Sequence, residues 1–212
     1  MKRTTALAAV IVATTALLIP GVPPSHAATT YTPTGGPIVR FVGTSVSFTD
    51  IEVSQTFGCT TSKMAGSVSS SGTSRAYHAD GATLGTLEFL GCTNAQAGAT
   101  AIAPSGTWTL AIIGDPVGQT WPARLKNVSF GMLMTNCGFM VQGSIGGRFN
   151  QYTQQFIPNT GPSGLTVLGG SHPPLGSMCA TLDIQPGDSI AVGGYWTNSP
   201  PSGSTALLIS NP

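Results

Sequence analysis

Side chains able to carry chemistry are sparse in this sequence of 212 residues, and few of them are grouped. Past residue 27 the histidines are His78 and His172, in separate stretches, whereas a metal site wants His, Cys or carboxylates at ligand spacing. His78 stands two residues before Asp80, a pair that could orient a base for a nucleophile. No Gly-x-Ser-x-Gly elbow accompanies it, and Gly161-Pro162-Ser163-Gly164 reads as a turn. Asp50, Glu52, Glu88, Asp115, Asp183 and Asp188 supply enough carboxylates for a glycoside-cleaving pair, but number alone has little specificity. Met132, Met134, Met140 and Met178 lie near Cys137 or Cys179 in sequence, and thioethers suit cuprous ions. The simpler reading is that methionine fills irregular core space beside a disulfide. The inventory points away from catalysis, with a secreted hydrolase as the minor alternative, and implies no cofactor and no metal.

The four cysteines say more. An even count in a chain with an export signal reads as disulfides, and no Cys-x-x-Cys spacing suggests a metal knuckle. Three connectivities exist, and an internal half-repeat favours Cys59–Cys92 with Cys137–Cys179. Val46-Ser47-Phe48, Cys59 and Met64-Ala65-Gly66-Ser67-Val68 are echoed by Val128-Ser129-Phe130, Cys137 and Val141-Gln142-Gly143-Ser144-Ile145. Each copy is followed by a Leu-x-x-Leu (Leu84/Leu87, Leu165/Leu168) and then by Cys92 or Cys179. Loops of that size stabilise by about 3–4 kcal/mol each in the chain-entropy model. Binding short of catalysis would use exposed aromatic faces, on which sugars stack or alkyl chains lie. Trp121 before Pro122, Tyr195 and Trp196 are the candidates for such a patch, whereas Trp108 alternates with Leu110 and is expected in the core.

The elements that must position these residues are short strands. Lys2-Arg3, the apolar Ala6–Ile19, the Pro20–Pro24 break and Ser25-His26-Ala27 read as a signal peptide over residues 1–27, cleaved after Ala27. The apolar run is too short to span a membrane. Without Lys2 and Arg3, six basic face seven acidic side chains, a net charge of about −1, so charge draws in neither nucleic acid nor anionic lipid. Charged residues are 7% of the chain, against about 25% in an ordinary soluble domain, which leaves Ser, Thr, Gly, Asn and Gln to make the surface. Gly 28 and Pro 16 disfavour helix and suit tight turns. Residues 28–37, rich in Thr and Pro, are expected to be flexible. Residues 38–212 are expected to form a single all-β domain of two related halves, a β-sandwich or flattened barrel of about 10–13 short strands with two disulfides. Ser45–Val53 carries two competing phases, Val46/Phe48 and Ile51/Val53, which implies a β-bulge near Asp50. Ala180–Ile184 is expected as a strand before the tight turn Gln185-Pro186-Gly187-Asp188.

The cysteine order, the Gly106-Thr107-Trp108 strand between the pairs, Cys137-Gly138-Phe139-x-Val141-x-Gly143 and the later Gly187-Asp188 and Tyr195 carry a resemblance. The chain resembles uncharacterised small secreted two-disulfide β-proteins of actinomycete-type bacteria. More distantly it is similar to the alkane-oxidation activator proteins, small exported β-proteins associated with cell surfaces. The resemblance covers most of residues 40–212; it implies fold and location and carries over no catalytic residue. The expected function is therefore a secreted or envelope-associated, non-enzymatic β-domain with a structural or interaction role at the cell surface. The alternative is a ligand-binding β-module for carbohydrate or an apolar molecule. Expected partners are a cell-envelope component, a carbohydrate or an apolar ligand, not nucleic acid, with no transmembrane segment in the mature chain.

Overall fold

The computed structural model describes residues 28–211, so the expected signal peptide and its cleavage after Ala27 lie outside the described residues. In chain order the first strands are β1 (Thr30–Gly36), β2 (Ile38–Asp50), β3 (Gln55–Val68), β4 (Arg75–Ala76), β5 (Asp80–Asn94), β6 (Gly98–Pro104) and β7 (Trp108–Ile112). Then come β8 (Thr120–Met134), β9 (Cys137–Asn150), β10 (Gln155–Pro158) and β11 (Pro162–Val167). A one-turn helix α1 (Ser177–Thr181) precedes β12 (Ser189–Gly193), β13 (Trp196–Asn198) and β14 (Thr205–Ser210).

These strands close into an eight-position antiparallel barrel. Five long strands make most of the wall, β2–β3–β5 and β8–β9. The other three positions are each filled by two short strands laid end to end. β6 and β7 both bridge β5 to β8, while β11 and β10 both pair with β9. β12 and β13 both pair with β2 and so close the ring. Closure leaves no wall edge to pair with other chains, the expected remedy for an all-β chain with so few charges.

Alternation decides what faces inward. β11 reads exposed–buried throughout, and β9 buries Phe139, Val141, Ile145 and Phe149. In an eight-stranded barrel the interior is just wide enough for side chains to fill. Here aromatics do so: Phe48 lies 4.9 Å from Phe130 and 5.7 Å from Phe89 by ring centroid, and Trp108 sits 6.0 Å from Phe89 and 6.3 Å from Phe130. Outward positions such as Thr60, Lys63, Thr86 and Glu88 are polar.

The β-bulge expected near Asp50 is absent, and the strand changes phase at another place. β2 is one continuous strand, and its inward phase changes at Thr44-Ser45, where Ser45 adopts φ 57°. Asp50 instead ends the strand. Its Oδ1 accepts the N–H groups of Glu52 and Val53, so Ile51 and Val53 belong to a turn. Asn94 and Asn150 end β5 and β9 with the same side-chain-to-backbone turn. The half-repeat has a structural counterpart. Asn127, φ 56°, precedes Val128-Ser129-Phe130 as Ser45 precedes Val46-Ser47-Phe48; the β8–β9 ladder shifts register there, whereas β2–β3 keeps its register through Ser45. Gly66 and Gly143 sit opposite Leu84 and Leu165, where a Cβ would overlap the carbonyl oxygens of Thr83 and Gly164. The cysteines do not follow this equivalence: Cys59 lies inside β3, whereas Cys137 opens β9.

Two expectations for individual segments change. Residues 28–37 are not loose: β1 pairs with β14 and, at its start, with β4, and it buries Tyr31. Gln154 in the β9–β10 turn holds β14 by both its amide groups, bonding the carbonyl and the N–H of Leu207 at 2.9 and 3.0 Å. Ala180–Ile184 is not a strand. Met178 N–H bonds the Asn136 carbonyl and Leu182 N–H bonds the Met178 carbonyl, which winds the segment into α1 and buries Cys179, Leu182 and Ile184. No helix among the described residues is long and apolar enough to cross a membrane.

Candidate functional site

An apolar groove lies beside the β8–β9 hairpin. After β11, Leu168 N–H bonds the Met140 carbonyl, and Leu175 exchanges both backbone bonds with Gly138. Residues 169–174 therefore arch away from β9 between two points of attachment, and Pro173-Pro174 stiffens the arch. The space below it, about 260 Å³, is lined by Leu133, Phe139, Met140, Pro173 and Leu175, with Ser171 and His172 also at its edge. Leu133 and Leu175 are 53% and 66% exposed, the two most exposed leucines among the described residues. Ser171 Oγ lies 2.8 Å from His172 Nδ1, so the imidazole is tethered to its neighbour beside the apolar floor. The far end of the arch is anchored by Cys179 of α1, disulfide-bonded to Cys137 at a Cα–Cα distance of 4.9 Å.

Both disulfides pair as the half-repeat indicated. Cys59 and Cys92 face each other across β3 and β5, and Cys137 binds Cys179. Two disulfides fit an oxidising, non-cytoplasmic compartment. The aromatic patch is different. Trp121 is 3% exposed and Trp196 fully buried, so of the three only Tyr195 reaches solvent. Trp196 points inward because β13 is in register with Phe41–Gly43 of β2. Its Nε1 donates to Ser62 Oγ at 2.6 Å across the core. Trp108 is buried as expected.

The remaining nominated residues are dispersed. Asp80 accepts from Lys126 Nζ at 2.6 Å and Thr109 Oγ1 at 2.9 Å, so it serves that cluster rather than orienting the His78 ring. Desolvation works to raise its pKa, but these two bonds outweigh it and hold the carboxyl below its ordinary value. Met132 is buried in the core while Met140, one pair along the ladder, faces the groove outside, so the thioethers point to both sides of the wall. Glu88 pairs with Lys63, Asp115 accepts from Tyr77 Oη, and Asp183 accepts from Gln185. Only Asp50, Glu52 and Asp188 come together.

Sequence reasoning missed the groove. Leu133 and Leu175 are ordinary leucines until the arch leaves them uncovered, and the one local signal was Pro173-Pro174 just before Leu175. No protein-family model, curated protein or solved structure matches this chain.

Proposed function

We propose that the protein is an exported, non-enzymatic β-barrel that acts by contact at the cell surface, with the groove under residues 169–174 as its contact site for an alkyl chain. The observation that carries this reading is the groove's lining: five apolar side chains, two of them leucines half or more exposed, with only Ser171 and His172 as polar neighbours. Its volume of about 260 Å³ lies just below the about 300–1,000 Å³ of small-molecule sites, room enough for a short alkyl segment. The carbohydrate alternative is less favoured because Trp121 and Trp196 are buried. The exposed tyrosines are also separated: Tyr152 sits in the β9–β10 turn and Tyr195 in the link between β12 and β13.

The test is a titration of the purified chain with 1-decanol, followed by methyl NMR. Saturable shifts are expected at Leu133, Met140 and Leu175. Leu133→Asp and Leu175→Asp, each on an exposed side chain, should weaken binding by about tenfold or more, the effect of about 1.4 kcal/mol. A soluble β-glucan should leave these methyls unmoved. Absence of any alkyl response, or sugar-induced shifts centred on Tyr195, would sink the proposal.

A further inference from the structure

Three of the chain's seven acidic residues meet where the barrel closes. Asp50 is the last residue of β2 and stands opposite Ile190; Glu52 lies in the turn that follows, and Asp188 immediately precedes β12. One oxygen of each is fixed by the backbone. Asp50 Oδ1 accepts from Glu52 and Val53, Glu52 Oε2 from Ser189 at 2.8 Å, and Asp188 Oδ2 from Gln185 at 2.6 Å. Asp50 is fully buried, and its other oxygen, Oδ2, has no hydrogen-bond partner among the described residues. A buried carboxylate oxygen left without a donor is costly, and it calls for a positive charge. No basic side chain supplies one, because the ion pairs among the described residues are Lys63–Glu88 and Lys126–Asp80.

We propose that Asp50, Glu52 and Asp188 bind a calcium ion that locks the seam between β12 and β2. One oxygen from each residue can be chosen so that all three lie within 4.8 Å of one another. Two oxygens across Ca²⁺, each at about 2.3–2.6 Å, stand about 4.6–5.2 Å apart, so the set fits around one ion. The donors are all hard oxygens, which excludes soft metals, and Mg²⁺ demands a tighter octahedron and parts reluctantly with its waters. Glu52 is exposed and gives the ion and its remaining waters a way in.

The purified chain, stripped with EDTA and desalted, is titrated with CaCl2 by calorimetry and by thermal melting at about pH 7.5. One Ca²⁺ per chain is expected, with Kd about 10⁻⁴–10⁻³ M, the range of extracellular calcium modules. At ten times Kd the melting temperature should rise by about 3–6 °C, and MgCl2 at equal concentration should give less than a third of that. Asp188→Asn and Glu52→Gln should still melt cooperatively but lose the calcium response. Glu52→Gln, on an exposed side chain, answers the question even if the other variant does not fold. No binding up to about 10 mM CaCl2 overturns the proposal. So does an unchanged calcium response in both variants, or stabilisation by acid alone, which would mean a shared proton. An equal response to Mg²⁺ overturns the assignment to calcium.

Discussion

Trp196 shows how one residue's role is set by the face it is given. Its indole lies in the core, 6.1 Å from Phe156 by ring centroid, and its N–H is satisfied by Ser62. Trp196→Phe leaves that buried hydroxyl without a partner and should cost about 1–3 kcal/mol in urea unfolding. Tyr195→Ala, on the neighbouring solvent-facing residue, should stay within about 0.5 kcal/mol. Equal costs would mean that Trp196 is not the core residue. Two carboxyls respond to pH in opposite senses. The Asp80 carboxyl, held low by Lys126 and Thr109, contributes stability above its ordinary value of 3.8 that is lost as pH falls through its lower folded value. In calcium-free buffer Asp50, raised to about 7, contributes stability through its protonated form. That contribution is complete below 3.8 and disappears as pH rises to about 7. Asp50→Asn stays neutral, so in EDTA its stability relative to the unaltered chain should grow between about pH 4 and 7 and level off above. A constant difference across that range would contradict the raised value.

At the scale of elements, the two disulfides do different jobs. Cys59–Cys92 joins adjacent wall strands already paired by the backbone, whereas Cys137–Cys179 ties α1 and the arch before it to β9. Replacing either pair with alanine should cost about 2–5 kcal/mol. Only the Cys137→Ala/Cys179→Ala variant should also weaken alkyl binding, because it releases the end of residues 169–176; equal binding in the two double variants would separate the groove from α1. The glycines at equivalent wall positions give a second check. Gly66→Ala and Gly143→Ala force a Cβ against a neighbouring strand's carbonyl and should each destabilise by about 1–3 kcal/mol or prevent soluble folding. Gly58→Ala has open space around its Cβ and is the control: a loss there as large as at Gly66 would show that strand glycines are costly to replace for reasons other than strand contact.

For the whole molecule, closure sets the hierarchy of stability. The long strands are bonded on both sides around the ring, whereas the β14–β1–β4 sheet lies outside it and is attached at fewer points, by Gln151, Gln154 and Tyr31 side-chain bonds and the Gly72 N–H on the Pro33 carbonyl. Amide exchange should therefore be slowest in β2, β3, β5, β8 and β9 and distinctly faster in β1 and β14. Uniform protection would mean that the outer sheet and barrel open as one unit.

The sequence by itself was enough for the all-β class, the disulfide pairing and the burial of Trp108. The class and the burial rest on local patterns, alternation over five or more residues and turn residues at short spacing; the pairing rests on the order of the cysteines along the two halves, although they do not occupy equivalent strand positions. A three-residue strand such as Trp196–Asn198 carries no readable phase, so alternation could not say which way Trp196 faces. The cluster of Asp50 with Asp188, and the uncovered Leu133 and Leu175, follow from the register at which β12 meets β2 and residues 168–175 meet β9. Register around a closed ring is the sum of every bulge and turn along the wall, including the shift at left-handed Asn127. No single stretch of chain contains that sum, and only the folded barrel determines it.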